Sequence, residues 1–211
     1  MDPTKSLTQH IRSHLRVLIA RFHALLGMVA EARSRPVRTW AAKLLTAEHR
    51  ERLADLEPDR LRPLLDHPDP LVNEFAASLF LELTTLDRLT VAEWLDLLDG
   101  DNQSVLALIA AAMEQRVTPD RVGLADAARL ALAAAVPVAK LRLHFLGDRE
   151  PAVEDERLIV SCLSGARCAA LGSEIATWAL ARLDTPERYN TEDVIEFFDA
   201  DLREVRDGAW A

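Results

Sequence analysis

The chain has 211 residues, of which 49% are hydrophobic, 28% charged and only 5% aromatic. That apolar share excludes a disordered chain, and an alanine- and leucine-dominated composition with seven glycines favours helices over sheets. The net charge of −9 hides a polarity: residues 1–45 hold eight Lys/Arg against two acids, the remainder 17 against 32.

The acidic body argues against nucleic-acid binding along the length of the chain, leaving only the basic N-terminal end for it. In that end the short apolar run Val17 to Ala20 is bracketed by Arg16 and Arg21, too closely for a secretory signal. No apolar stretch approaches the roughly 18–20 residues that span a bilayer. The sequence therefore reads as cytoplasmic, with no membrane partner. His10 and His14 stand four apart, but with Arg12 and Arg16 around them and no third ligand they read as a polar helix face.

Further along, a register repeats. Val37, Val72, Val105, Val138, Leu171 and Val205 follow one another at intervals of 33–35 residues. Apolar residues recur three, four, seven and eight places after these anchors, as in Phe75, Ala76, Leu79 and Phe80, the stripe of an amphipathic helix. A second apolar segment precedes each anchor: Leu64-Leu65-Asp66, Leu97-Leu98-Asp99, Leu130-Ala131-Leu132 and Phe197-Phe198-Asp199. Breakers separate the two, such as Pro68-Asp69-Pro70 and Gly100-Asp101-Asn102, which end one helix and offer side-chain oxygens to cap the next. Thr118-Pro119-Asp120 and Thr191-Glu192-Asp193 read as further helix starts, and the helix near Leu171 reads as starting near Ala166. Trp40, Trp94 and Trp178 fall on core positions, whereas Trp210 falls where sister helices carry a small residue.

One helix pair cannot cover its own apolar faces, so the pairs must stack. The expected fold is all-α, a right-handed α-solenoid of about six antiparallel helix pairs in one domain over 1–211. The repeats are 8–46, 47–85, 86–117, 118–148, 149–186 and 187–211, the last cut short. The segments Leu64 to Phe80, Leu97 to Met113 and Phe197 to Ala211 resemble HEAT repeats, with their apolar pair, acid, turn and alanine-bearing second helix. This resemblance to the HEAT-like (armadillo-like) class implies architecture and a habit of protein binding. The family's Arg after the anchor is present only at Arg38 and Arg206, so a continuous Asp–Arg ladder is not expected. The short final helix leads us to expect part of a longer array, with an open end on which a further unit could stack.

No reactive constellation accompanies the repeats. Cys162 and Cys168 lack the spacing and histidine neighbours of a zinc site and read as small core residues. Acid clusters such as Glu154-Asp155-Glu156 read as turn and capping residues, and no phosphate loop, HExxH or nucleophile elbow occurs. No metal, cofactor or catalytic residue is assigned. The candidate surface is the concave one, where second helices present Arg38, Lys43, Asn73, Glu74, Leu106, Lys140 and His144. Around Leu106, flanked by Lys140, a shallow apolar groove would accept a partner helix or peptide. The leading reading is a non-catalytic protein-interaction scaffold within a larger protein or assembly. The competing one is a nucleic-acid-binding or DNA-glycosylase-like HEAT protein, which needs a basic concave face.

Overall fold

The computed structural model describes residues 19–146, 163–181 and 191–210. All regular structure among them is helical. The chain forms two compact units, Met1–Arg88 and Leu89–Ala211.

The first unit contains α1 (19–31), α2 (Arg35–Glu48), α3 (Arg50–Ala54), α4 (Pro58–Leu65) and α5 (Pro70–Glu82), then a 3₁₀ turn at Thr85–Arg88. Prolines open α2, α4 and α5, where a fixed φ and a missing N–H cost nothing. Asp69 caps α5 by accepting a hydrogen bond from the Leu71 N–H at 3.1 Å, and His67 Nδ1 accepts from the Asp69 N–H within the same turn. The expected stripe of α5 is buried at Val72, Ala76, Leu79 and Phe80. Thr85 Oγ1 donates to the Leu56 carbonyl at 2.7 Å, and the Thr84 N–H donates to the Ala54 carbonyl at 2.8 Å. These bonds fasten the segment after α5 to the end of α3 and the loop that follows it.

Helix α2 departs from the expected register. Its buried residues are Ala41 and Leu45, while Val37 and Trp40, both placed in the core by the sequence, are 39% and 55% exposed. At about 100° per residue, Ala41 and Leu45 lie 40° and 80° round from Val37, while Trp40 lies on its other side. The neighbours α3 and α5 thus meet α2 on its Ala41–Leu45 side.

The second unit contains α6 (Val91–Leu97), α7 (Gln103–Arg116), α8 (Leu124–Ala131), α9 (Val136–Leu146), α10 (Gly172–Leu180), α11 (Thr191–Phe198) and α12 (Arg203–Ala209). Thr90 and Glu93 form a reciprocal capping box on α6, and Asn102 caps α7 through the Ser104 and Val105 N–H groups. Thr191 lies in α11. Thr118-Pro119-Asp120 instead begins a short 3₁₀ turn, Pro119–Arg121, and α8 starts later. Trp94 is fully buried, and Trp178 packs half-buried against a core that includes Leu163, Cys168, Ile175 and Phe197. Successive second helices lie side by side: α7 on α9, and α10 on α12.

The helix expected from Ala166 begins instead at Gly172, after a 3₁₀ turn at Ala169–Leu171. Close packing explains the glycines on both α10 and α12. A Cβ on Gly172 would stand 2.9 Å from Glu204 Cβ, and one on Gly208 only 2.8 Å from Ala176 Cβ. Either distance is shorter than two carbons tolerate, so the absent side chains set the separation of the two helices.

Candidate functional site

Helix α7 is buried at Val105, Leu106, Ile109, Ala110, Ala112 and Met113, a continuous arc of about 160° at 100° per residue. Leu106 falls inside this arc, between Met113 and Ala110, and is only 2% exposed. It is therefore a core residue, and the groove expected around it is not built on its side chain. The surface of α7 lies further round, at Ala107, Ala111 and Glu114, all exposed.

On that surface, where α7 packs on α9, a cleft of about 390 Å³ opens. Its floor is Ala107, Ala110 and Ala111 of α7 with Pro137 and Leu141 of α9, and its rim carries Lys140, His144 and Glu114. The alanines leave space because each ends at a methyl, and Pro137 projects no long side chain. Lys140 is exposed and has no ion-pair or hydrogen-bond partner among the described residues. Glu114 Oε1 stands 3.7 Å from His144 Nδ1, within ion-pairing range when the imidazole is protonated, and the His144 ring meets Phe145 edge-on at 4.9 Å. The cleft thus combines an apolar floor with a cation unpaired among the described residues and a carboxylate–imidazole pair.

Two expected site residues, Lys140 and His144, come together here. Glu114 was missed, although the signal was present: it stands nine places after Val105, about 180° round the helix, on the face of Ala107 and Ala111.

The remaining expected residues belong to the first unit. Arg38 is half-buried and ion-paired with the cap Asp69, tying α2 to the turn before α5, and Asn73 Nδ2 donates to the Leu65 carbonyl, tying α5 to the end of α4. Lys43 and Glu74 are exposed. The Arg38 guanidinium also helps to hold the Asp69 carboxyl below its usual pKa, after the larger effect of the Leu71 N–H. Arg206, the other arginine that directly follows an anchor, donates to the Ala200 carbonyl and, at 3.0 Å, to that of Asp201. The Asp–Arg rung is thus formed at Arg38 and replaced by arginine-to-backbone bonds at Arg206.

One charged side chain stands within a buried stripe. Arg142 sits 40° round from Val138, in the middle of the buried arc of α9, and is 1% exposed. None of its three guanidinium nitrogens has a hydrogen-bond partner among the described residues. Burial lowers its pKa, with the charge of Glu174 acting the other way.

Cys168 is buried and free, as the core reading expects, while Cys162, His10, His14 and Glu154-Asp155-Glu156 lie outside the described residues. Among the described residues, no group of three or more His, Cys, Asp or Glu is placed to hold a metal ion, and no helix is long and apolar enough to cross a membrane. No protein-family model matches the chain, nor does any curated protein or solved structure.

Proposed function

We propose that this chain is a non-catalytic protein-interaction scaffold of the HEAT-like kind, a right-handed α-solenoid that acts in the cytoplasm and holds its partner against its second helices. The observation that carries the reading is the cleft between α7 and α9, with its alanine floor and its rim of Lys140, His144 and Glu114. An apolar anchor from a partner can approach the backbone there, because nothing larger than a methyl stands in the way on α7. The charged rim supplies orientation and selectivity, more than affinity. The repeat register of 33–35 residues supports the solenoid, as does the side-by-side packing of second helices: α2 on α5 in the first unit, α7 on α9 and α10 on α12 in the second.

The test uses the intact chain as bait, followed by calorimetry with the purified partner. Ala111→Glu and Lys140→Glu alter exposed positions, so helicity should be retained. Each is expected to weaken binding tenfold or more, about 1.4 kcal/mol. Unchanged affinity in both variants would remove the cleft from the interface. Failure to recover any saturable protein partner would refute the scaffold.

A further inference from the structure

A second cleft, of about 420 Å³, opens in the second unit where first helices end. Leu95 borders it from α6 and Leu98 from the cap just after, Arg129 and Leu130 from α8 and Leu132 from the cap just after, and Arg167 from the turn before the 3₁₀ segment. Leu98 and Leu130 are buried and form the floor, while Leu95 and Leu132 are half-buried and present apolar surface to an occupant. The volume falls within the roughly 300–1,000 Å³ usual for binding sites.

The charges on the rim decide what fits. Arg129 and Arg167 are both exposed, and neither guanidinium has an ion-pair or hydrogen-bond partner among the described residues. A cation in the last turn of α8 is favoured by the helix dipole, which accounts for Arg129 alone. Arg167 reaches the same cleft from a separate turn, so two forked donors converge on one apolar trough with a single carboxylate, Asp99, beside them. A guanidinium pairs with a carboxylate through two parallel hydrogen bonds. The surrounding body, with 17 Lys/Arg against 32 acids over residues 46–211, repels an extended polyanion. It tolerates a short segment whose one or two charges are met at contact distance.

We propose that this cleft docks a short peptide segment of a partner protein, carrying one or two carboxylates beside leucine-type side chains. The inference rests on the protein-binding reading but uses a surface and residues distinct from the α7–α9 cleft, so either can fail alone. The probe is a fluorescein-labelled Glu/Leu peptide titrated with the full chain by fluorescence anisotropy, next to its Gln/Leu counterpart and with decanoate as competitor. Saturable binding is expected for the acidic peptide, about tenfold weaker or more for the Gln/Leu peptide and for Arg129→Gln and Arg167→Gln. Lys140→Glu, in the other cleft, is expected to leave it unchanged. In the unsubstituted protein, the Nε–H resonances of Arg129 and Arg167 are expected to shift on titration, a readout independent of how the variants fold. The proposal is overturned if the acidic peptide does not saturate by about 1 mM, or if the arginine variants bind it as tightly as the parent. It is also overturned if only resonances elsewhere move. Displacement by decanoate with the same arginine dependence and higher affinity would assign the cleft to a free anionic amphiphile instead.

Discussion

Replacing Arg142 by methionine is expected to stabilise this protein, although Arg142 is among the most completely buried side chains. Three guanidinium nitrogens are buried without an acceptor among the described residues, and an unsatisfied buried polar group costs about 1–3 kcal/mol. The charge adds a desolvation cost of several kcal/mol. Glu174 offsets part of it, but that carboxylate is exposed and its attraction is screened by water. Methionine keeps the length and flexibility of the arginine stem within the apolar arc formed by Val138, Phe145 and Leu146. Exchanges of buried ionic groups for apolar ones of similar volume have stabilised proteins by about 1–4 kcal/mol. We expect a gain in that range for Arg142→Met, seen in urea denaturation followed by circular dichroism. Melting temperature should rise by about 2–4 °C per kcal/mol for a chain of this size. Glu174→Gln should destabilise the parent slightly and leave the methionine variant unaffected, giving a coupling energy from the double-mutant cycle. A loss of more than about 1 kcal/mol in Arg142→Met would refute the reasoning, since it would mean that the guanidinium is satisfied in solution.

Gly208→Ala is expected to destabilise by up to about 2 kcal/mol: a clash of about 1–3 kcal/mol from forcing α10 and α12 apart, less about 1 kcal/mol of improved helix propensity. Adding Ala176→Gly should recover part of the loss in chemical denaturation, and no recovery would show that the contact is not limiting. Acid should weaken the fold through Asp69 and Glu93, whose carboxyls are held below their ordinary values of 3.8 and 4.5 by hydrogen bonds from the Leu71 and Thr90 N–H groups. Because the folded pKa values are depressed, this stability is complete above the unfolded values and is lost as pH falls through the folded ones. Asp69→Asn should flatten the decline in urea midpoint below about pH 4; a slope equal to the parent's would exclude Asp69 as a contributor.

Much of the helix inventory was legible because its determinants are local. Asp69 and Asn102 stand where a helix needs its free amides capped, and Pro70 stands where a missing N–H is harmless. The candidate surface was legible only in part. Lys140 and His144 were found because they stand off the stripe, whereas Leu106 was misplaced because the stripe was taken as narrower than the arc that neighbouring helices cover on α7. Trp40 shows the opposite error, since an apolar side chain on a helix margin is buried only if another element reaches it.

The sequence by itself determined the helical class, the 33–35 residue register, the turns capped by Asp69 and Asn102 and the charge polarity, because each depends on neighbours within a few residues or on composition alone. Only the tertiary structure decided which arc of each helix is covered, that Arg142 is enclosed, that Gly172 and Gly208 let α10 and α12 approach, and where the two clefts open. Periodicity gives the angle of a side chain about its own helix axis. Whether that direction meets another helix, an unpaired charge or water is set by residues distant in the chain.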